Sequence, residues 1–522
     1  MASSSLLIQS LQNPAVYAHS VDYFKVIETH ISWVLLTGSY AYKIKKPVNL
    51  GFLDFSSLEK RRHACYEELR LNSRLATEIY LDVVAIKGTL DQPSFDGSAT
   101  TIEYAVKMRQ FDPTNTFDQL LARNQLSTEH IKQSADIIAT FHDHIASATN
   151  DTEFGSFEAI RQPVRENFWQ IQQQQGIDAP ERLKPLALWS EQQLTELMPV
   201  FRQRKLAGFI RECHGDLHLG NIALIDGKVM PFDGIEFNST LYWIDVVNEI
   251  AFLTMDLQEK QRPDLAYQFL NRYLERSGDY GCLKLLRFYQ VYRAMVRAKV
   301  NLIRACQNAS SKQHQQAIAH YHHYLQLANR YTQSSKRLMI IMHGLSGSGK
   351  SWLSEQMINH VQAIRLRSDV ERKRLHRLSC QQNSHSDLES GLYSQANNDM
   401  TYHYLLKLAS QILDCGYTVI VDATFLQQQH RALFFKQAQQ LQTAFLIVHT
   451  QADEQTLIRR INSRSKQRYH VSEADLAVLA NQQQKIQPLN NEEQKNCVTV
   501  NTNQTEQLTR LWRFLDQQSQ QI

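Results

Sequence analysis

The spacing of apolar residues changes along the chain, and each change predicts a different kind of structure. Residues 1–30 have the pattern of an amphipathic helix. Short runs typical of β-strands follow, with a single helical stretch between them. The strand-like runs are 32–36, 40–44, 83–86 and 101–108, and the helical stretch is 58–75. From about Ser127 to residue 332 the period is mostly helical. Residues 1–332 therefore predict a small β lobe followed by a helical lobe.

After residue 337 the pattern changes again, to apolar strands that alternate with helices. The strand candidates are 338–342, 363–366, 418–421 and 445–449. Such alternation is typical of a parallel α/β sheet. A polar segment rich in His and Gln precedes it and ends at 332–336. Because 522 residues are too many for one hydrophobic core, we predict two domains, residues 1–332 and 337–522.

Composition narrows the class of protein without identifying a function. Apolar residues make up 43% of the chain and charged residues 21%, as in ordinary globular proteins. The net charge of +4 is small for this length and gives no overall argument for binding nucleic acid. The 7 cysteines include no C-x-x-C pair, which favours a reducing compartment and no zinc site. With no signal peptide and no apolar stretch of transmembrane length, we expect a cytoplasmic protein.

The clearest motif is a glycine-rich loop that follows the apolar run 338–342 and precedes a helical segment. It matches G-x-x-x-x-G-K-[ST], the phosphate-binding P-loop, in the required context of strand, loop and helix. Glycines let successive backbone N–H groups point at phosphate oxygens, and the helix N-terminus adds a partial positive charge. Lys350 is expected to contact the β- and γ-phosphates, and the Ser351 hydroxyl to ligate Mg²⁺. The predicted nucleotide-binding residues are Gly344, Leu345, Ser346, Gly347, Ser348, Gly349, Lys350 and Ser351.

A second motif lies in the first predicted domain, where the sequence reads H-G-D-L-H-L-G-N at 214–221. This run matches H-x-D-x-x-x-x-N, the catalytic loop of protein kinases. Two short apolar runs around the D-G pair at 226–227 then predict a hairpin that leads to F-D-G. In a kinase, Asp216 would orient or deprotonate the acceptor hydroxyl, while Asn221 and Asp233 would hold Mg²⁺ against the ATP phosphates.

With these residues, the segment resembles the aminoglycoside phosphotransferase (choline-kinase-like) branch of the protein-kinase-like fold. The whole chain is similar to bacterial two-domain proteins in which such a domain precedes a P-loop kinase domain. This resemblance implies an α+β protein-kinase-like bilobal domain followed by an α/β P-loop NTPase domain with a parallel sheet. It extends over nearly the full length and implies no settled substrate. The matching stretches are I-S-W-V at 31–34, Y-K-I-K-K-P at 42–47, G-F-L-D-F at 51–55 and E-L-R-L-N at 68–72.

The resemblance also implies a Lys–Glu pair that positions the α- and β-phosphates. The candidates are Lys43 or Lys45 on a strand and Glu68 or Glu67 on the following helix. Since residues two apart in a strand share a face, the sequence does not choose between the lysines. The nucleotide loop departs from the kinase pattern, because a single glycine lies between the first two strands. Asp245 is predicted to support the catalytic loop by hydrogen bonds, or alternatively to start a helix.

The second domain resembles the small P-loop kinases, which include polynucleotide kinases and zeta-toxin-like sugar-nucleotide kinases. In these, an Asp at the place of Asp369 binds and activates the acceptor hydroxyl. The alternative is that Asp369 caps the helix 370–378. Asp422 ends a hydrophobic strand and is the candidate carboxylate for Mg²⁺. Kinases of this size close an Arg-bearing lid over the transferring phosphate, and Arg464 is our candidate for that role.

Together these motifs predict an ATP-dependent phosphotransferase with two nucleotide-binding domains that uses ATP and Mg²⁺. The expected acceptor is a hydroxyl group, a small molecule being favoured over nucleic acid, with no membrane partner. Either domain could be the main catalyst. One alternative is a nucleic-acid end kinase, motivated by the basic run Arg365–Arg377. Others are a regulatory, toxin-like ATPase whose kinase-like domain is not catalytic, and an aminoglycoside-resistance enzyme, although a fold does not fix its substrate.

Overall fold

The computed structural model describes residues 2–51, 53–174, 180–307, 311–333, 337–378, 394–465 and 475–521. The chain forms two compact units, neither of which is continuous in sequence. The first consists of Met1–Ser134, Phe141–Asp256 and Tyr292–His322. The second consists of Ala135–Thr140, Leu257–Val291 and His323–Ile522. The domain boundary at 332–337 stays a prediction, and residues 334–336 lie outside the described residues.

The first unit begins with an antiparallel sheet of six strands in the order β1-β2-β3-β6-β4-β5. The elements are α1 (Ala2–Ser10), β1 (Lys25–Glu28), β2 (Ser32–Leu36), β3 (Tyr40–Lys45), α2 (Leu58–Ala76), β4 (Tyr80–Gly88), β5 (Pro93–Ser94) and β6 (Thr101–Arg109). Helix α2 packs on the sheet through Cys65 and Ala76, which share a buried apolar cluster with Val83 and Val106. The predicted β lobe with one early helix is therefore confirmed.

The predicted helix over residues 1–30 is wrong beyond Ser10. Pro14 has no N–H to continue a helix, and it disfavours helical backbone at the residue before it. The chain after this proline runs to β1, an edge strand of the sheet in which Val26 pairs with Leu35 of β2. Pairing with β2 has overridden the helical pattern of the segment.

The rest of the first predicted domain is mainly helical. Its elements are α3 (Phe117–Ala122), α4 (Thr128–His144), α5 (Phe157–Gln172), α6 (Pro180–Glu196), α7 (Met198–Leu206), β7 (Ile210–Glu212), β8 (Ile222–Ile225), β9 (Lys228–Pro231), β10 (Trp243–Asp245), α8 (Val246–Glu259), α9 (Pro263–Ser277), α10 (Leu283–Gln307) and α11 (Ser311–Thr332). Strands β8 and β9 form the predicted hairpin, and β7 pairs with β10. A β lobe followed by a helical lobe that carries this hairpin is the protein-kinase-like fold.

The second unit is built on a parallel sheet of five strands in the order β12-β13-β11-β14-β15. Its elements are β11 (Leu338–His343), α12 (Lys350–Val361), β12 (Ile364–Arg367), α13 (Ser368–Leu375), α14 (Gln395–Asp414), β13 (Val419–Asp422), α15 (Gln428–Gln440), β14 (Ala444–Gln451), α16 (Glu454–Ser465), α17 (Leu476–Lys485), α18 (Asn491–Lys495), β15 (Cys497–Asn501) and α19 (Thr505–Gln521). The predicted α/β P-loop domain is confirmed, with β15 as an additional strand.

Helix α9 precedes the P-loop by more than one helix in sequence, yet it is part of the second unit. Tyr267 packs against the apolar cluster of the parallel sheet. Asn271 donates from Nδ2 to the carbonyl oxygen of Ala363 at 2.9 Å and accepts from the N–H of Arg365 at 2.6 Å. These contacts fix α9 beside the start of β12.

Within the described residues, no helix combines the length and the apolar character that crossing a membrane requires.

Candidate active sites

In the first unit, both candidate lysines lie beside the same glutamate. Strand β3 alternates its side chains between two faces, so Lys43 and Lys45 project from one of them. Lys43 Nζ lies 2.7 Å from Glu68 Oε1, and Lys45 Nζ donates to the other oxygen, Oε2. Glu67 instead pairs with Arg70 at 2.8 Å. The structure therefore brings Lys43, Lys45 and Glu68 together and leaves Glu67 out.

The two lysines differ in their second partner. Lys43 Nζ lies 2.5 Å from Asp233 Oδ1, whereas Lys45 Nζ contacts Glu236. The Lys45 side chain is fully buried, while 11% of the Lys43 side chain and 44% of the Asp233 side chain are exposed. Lys43 is thus the lysine that a ligand at Asp233 can reach. Glu236 is a member of this charge network that the sequence analysis missed.

The buried charges in this network stabilise one another. Burial alone would lower the pKa of the Lys43 ammonium, but Asp233 and Glu68 outweigh it and raise that pKa well above its usual value. Burial would raise the pKa of the Glu68 carboxyl, but Lys43 and Lys45 lower it. Both groups stay ionised at neutral pH. The charged ammonium group can then bind an anionic phosphate while the carboxylate holds it in position.

Asp216, Asn221 and Asp233 also meet in the first unit. Asn221 ends a short 3₁₀ turn, and its Nδ2 donates to Asp216 Oδ2 at 3.0 Å and to the carbonyl oxygen of Asp233 at 3.3 Å. The hairpin returns the chain to this point through a tight turn at Asp226 and Gly227, which have φ of 50° and 75°. The three residues predicted to carry kinase chemistry therefore share one site with Lys43.

Asp216 is ionised in this setting. Burial would raise the pKa of its carboxyl group, but His218, whose Nε2 lies 3.5 Å from Asp216 Oδ2, outweighs burial and lowers that pKa. A carboxylate is the form that accepts a hydrogen bond or a proton from an acceptor hydroxyl.

The catalytic loop is held by Glu249 of α8, a residue that the sequence analysis did not select. Glu249 Oε1 accepts from the N–H of His214 at 2.6 Å and from that of Gly215 at 2.8 Å. Its Oε2 lies 2.5 Å from His142 Nε2. Burial would raise the pKa of this carboxyl group, but His142 outweighs it and the pKa falls to about 2. A buried carboxylate thus fixes the loop backbone.

The prediction that Asp245 supports the catalytic loop is wrong. Asp245 pairs with Arg204 at 2.7 Å, and its Oδ1 accepts from the N–H of Val247 at 3.0 Å. It therefore starts helix α8, as the alternative interpretation proposed. The support comes from Glu249, one helical turn later, because a helix returns to the same face after about four residues.

Glu249 also belongs to a group with the composition of a metal site. Ligand atoms of His142, Cys213 and Glu249, all buried, lie within 4.8 Å of one another. Both oxygens of Glu249 already have hydrogen-bond partners. The group is therefore explained as the support of the catalytic loop.

The turn between β2 and β3 does not form a long glycine-rich loop. The N–H of Thr37 donates to the carbonyl oxygen of Tyr40 at 2.9 Å, which closes a tight turn. Gly38 has φ of 98°, and a Cβ at this position would lie 2.4 Å from Asp22 Oδ2. The turn therefore packs closely against the segment that precedes β1, in agreement with the single glycine in the sequence.

In the second unit, the P-loop has a conformation that requires glycine. Gly344, Gly347 and Gly349 have φ of 143°, 84° and 93°, values that strain other residues. An added Cβ would lie 2.6 Å from the carbonyl oxygen of Thr450 at Gly344, and 2.9 Å from that of Leu457 at Gly347. The loop therefore has the glycine-dependent backbone on which the predicted phosphate cradle depends.

Lys350 begins helix α12 and folds back over this loop. Its Nζ donates to the carbonyl oxygens of Gly344 at 2.9 Å and Leu345 at 2.8 Å. A side chain of α17 also contacts the loop, because the N–H of Ser346 donates to Gln482 Oε1 at 2.8 Å. The ammonium group therefore lies at the loop whose bound phosphates it is predicted to contact.

Asp422 and Ser351 lie on elements that meet at one edge of the sheet. Asp422 ends β13, which is parallel to β11, the strand that leads into the P-loop. Its Oδ2 lies 3.4 Å from the hydroxyl of Ser354, one turn after the exposed Ser351. Carboxylate and hydroxyl oxygens are ligands that Mg²⁺ accepts, so these residues fit the ion. When bound, Mg²⁺ neutralises charge on the nucleotide phosphates.

Asp369 lies in the first turn of α13 and is half-buried. The N-cap of this helix is Arg367, so the alternative that Asp369 caps a helix starting at residue 370 is wrong. Burial raises the pKa of Tyr402, with a small further contribution from the Asp369 charge, and the Tyr402 hydroxyl accepts from the N–H of Phe425 at 3.0 Å.

Three cations of the basic run Arg365–Arg377 are buried, whereas Arg377 is exposed. Arg365, Arg372 and Lys373 are buried, with exposures of 7%, 7% and 3%. Arg365 pairs with Glu275 at 2.8 Å. Binding to a nucleic-acid backbone needs cations that can reach phosphates, which the three buried side chains do not offer.

Arg464 lies in α16, but its side chain is outside the described residues. Arg460, one turn earlier, donates from Nη1 to the carbonyl oxygen of Gly347 at 3.1 Å. The same atom donates to the hydroxyl of Thr502 at 2.8 Å, and that hydroxyl donates to the carbonyl oxygen of Ser348 at 2.9 Å. Arg460 is therefore the arginine of α16 with a described contact to the P-loop.

Comparison with known proteins gives relatives over most of the chain. The uncharacterized proteins Rv2004c of Mycobacterium tuberculosis and Mb2027c of Mycobacterium bovis are 30% identical to it over 453 residues. The match covers 86% of this chain and 88% of each relative. Residues 339–489 match the family model of an AAA domain, AAA_33.

Two solved structures are each similar to part of the chain. A choline kinase from Cryptosporidium parvum is 13% identical, with a TM-score of 0.38, and the match covers 63% of this chain and 96% of that one. The APS kinase of Mycobacterium tuberculosis is 23% identical, with a TM-score of 0.26, and the match covers 35% of this chain and 99% of that one.

Proposed function

The chain belongs to the same family as these mycobacterial relatives, and we propose that it is a kinase that transfers the γ-phosphate of ATP to a hydroxyl group of a small molecule. The observation that carries this proposal is the position of Lys43, 2.7 Å from Glu68 and 2.5 Å from Asp233. A degenerate kinase fold has no requirement to keep these charges together with Asp216 and Asn221.

In this proposal, each residue of the first unit has a defined task. Lys43 binds the α- and β-phosphates while Glu68 fixes the position of its ammonium group. Asn221 and Asp233 would hold Mg²⁺, which neutralises charge on the transferring phosphate when it is bound. Asp216 accepts the hydrogen bond of the acceptor hydroxyl and orients its oxygen towards the γ-phosphate.

The second unit supplies a separate nucleotide site. The P-loop N–H groups and Lys350 bind phosphates, and Ser351 and Asp422 would hold Mg²⁺. Asp369 then orients a second acceptor hydroxyl. A small-molecule acceptor is favoured over nucleic acid because Arg365, Arg372 and Lys373 are buried.

The test uses the full chain in two measurements. Calorimetry with Mg-ATP should give two nucleotides per chain in the wild type and one in Lys350→Ala. Incubation with γ-labelled ATP and a metabolite extract should then give a labelled small molecule, which mass spectrometry identifies. Asp216→Asn should reduce transfer from the first unit by about 10²–10⁴-fold.

Release of labelled phosphate without a labelled acceptor would contradict the proposal and favour the regulatory ATPase. Adding oligonucleotides with free hydroxyl ends to the same assay tests the nucleic-acid alternative. Label on the oligonucleotide alone, with none in the extract, would overturn the small-molecule acceptor.

A further inference from the structure

A glutamate of helix α9 holds two arginines at the edge of the P-loop site. Glu275 is buried, and its Oε1 accepts from Arg365 Nη2 at 2.8 Å and from Nε at 3.1 Å. Its Oε2 lies 3.8 Å from Arg367 Nη1. Because β12 alternates its side chains, both arginines project from the same face of the strand, towards this carboxylate.

The same two arginines also contact the predicted Mg²⁺ ligands and their neighbours. Arg365 Nη1 lies 3.3 Å from the carbonyl oxygen of Ser351 and 3.4 Å from the hydroxyl of Ser354. Arg367 Nε lies 3.9 Å from Asp422 Oδ2. The Arg367 guanidinium therefore lies between two carboxylates, Glu275 and Asp422.

We propose that Glu275 is a positioning residue of the P-loop site, and that it keeps Asp422 available to Mg²⁺ by holding the Arg365 and Arg367 guanidinium groups. The inference rests on the proposed function, since it assumes that the P-loop binds Mg-ATP. Without the Glu275 charge, the guanidinium groups pair with the neighbouring carboxylate, Asp422. A carboxylate paired with an arginine is a poorer ligand, because Mg²⁺ must first displace the cation.

The charge of Glu275 and the attachment of its helix to β12 support this role. Burial would raise the pKa of its carboxyl group, but Arg365 and Arg367 outweigh burial and lower it. Asn271, one turn earlier in α9, is hydrogen-bonded to the backbone of Ala363 and Arg365. The carboxylate is therefore charged and its helix is fixed to the strand that carries both arginines, as preorganisation of a site requires.

The experiment is a Mg²⁺ titration of ATP binding to the full chain. An Asp233→Asn background removes the predicted metal ligand of the first unit, so that the P-loop site dominates. We expect Glu275→Gln to raise the Mg²⁺ concentration for half-maximal binding by about 10-fold or more, as is typical of changes behind a metal ligand. The double variant Glu275→Gln/Arg367→Gln should move this midpoint part of the way back towards the wild-type value, because the cation that lies 3.9 Å from Asp422 is gone while Arg365 remains.

Gln268→Leu is the matched control. Gln268 Nε2 donates to Asn359 Oδ1 at 2.7 Å, so it also joins α9 to a neighbouring element, α12, but carries no charge and does not bond to the arginines of β12. Its Mg²⁺ midpoint should stay unchanged even if the melting temperature falls. If Glu275→Gln does not fold, Glu275→Asp, which keeps the charge on a shorter side chain, should give a smaller shift in the same direction.

A wild-type midpoint in folded Glu275→Gln, or no recovery in the double variant, would overturn the inference alone. If Lys350→Ala left nucleotide binding unchanged, the P-loop would not be a nucleotide site, and the proposed function of the P-loop would be overturned as well. The two failures are distinguishable because the failure of the P-loop function is measured in a chain that still has Glu275.

Discussion

Lys43 Nζ lies 2.5 Å from Asp233 Oδ1, so a predicted phosphate-binding cation and a predicted metal-binding carboxylate are paired with each other. Each group presents to the other the charge that it would meet in a Mg-ATP complex. Lys45 is not paired with a predicted metal-binding carboxylate, because its second partner is the buried Glu236. This difference allows two neighbouring lysines, which the sequence left equivalent, to be separated experimentally.

Lys43→Met should reduce phosphate transfer by the first unit while changing stability little. Removing one charged contact to a transition state typically costs about 10²–10³-fold in rate. Glu68 keeps Lys45 as a partner, so no buried carboxylate is left alone. Label transfer and urea unfolding, both measured in a Lys350→Ala background, test the two parts of this prediction.

Lys45→Met should show the opposite behaviour. It leaves Glu236 buried without its contacting lysine, and the removal of one partner of a buried pair costs about 3–5 kcal/mol. We therefore expect a large loss of unfolding free energy in urea. If Lys43→Met were the strongly destabilised variant and Lys45→Met the inactive but stable one, the roles would be reversed.

Asp369→Asn should reduce acceptor phosphorylation by the second unit by at least about 10²-fold. ATP affinity should stay nearly unchanged, because Lys350, Ser351 and Asp422 bind the nucleotide in our proposal. Label transfer, ATP affinity and melting temperature are measured in an Asp216→Asn background. Glu492→Gln, in the first turn of α18, is a control for the loss of a helix N-terminal charge. Full transfer in Asp369→Asn would eliminate its role.

The stability of the first unit should fall in acid, and Glu249 should account for part of the loss. Its pKa is lowered from 4.5 to about 2 on folding, so the carboxylate stabilises the folded state above pH 4.5. That contribution is lost progressively as the pH falls from 4.5 to about 2, and amounts to about 3 kcal/mol for this shift. Urea unfolding over this range measures the loss.

Glu249→Gln should be less stable than the wild type at neutral pH and should show a flatter dependence on pH. The amide keeps an oxygen for the N–H groups of His214 and Gly215 but has no charge to lose. Equal pH dependences in the two proteins would show that Glu249 is not the group responsible.

Local motifs were predictable because their residues are close in sequence. The P-loop and the catalytic loop each lie within a few residues, and their spacing alone identifies them. The partners that complete each site are distant, with Glu236 lying 191 residues from Lys45 and Glu275 lying 90 residues from Arg365. No pattern in the chain connects such pairs, since only the fold brings them together.

The prediction of secondary structure was wrong where the local sequence pattern and the pairing of strands in the fold disagree. Residues 25–28 are a strand because β2 pairs with them. Strand β15 reads C-V-T-V-N, in which polar residues interrupt the apolar ones so that no apolar run marks it, and it forms beside β14. The membership of α9 in the second unit has no local signal at all.

The position of α9 has a consequence for biosynthesis. The chain leaves the ribosome from its N-terminus, so Glu275 emerges before Arg365, which lies 90 residues later. At a synthesis rate of about 5–20 residues per second, α9 emerges roughly 5–18 s before β12, the strand against which it packs. During that interval the apolar side of Tyr267 has no sheet to cover it. A nascent chain stalled before β12 should therefore be a better substrate for chaperones than one released after β14.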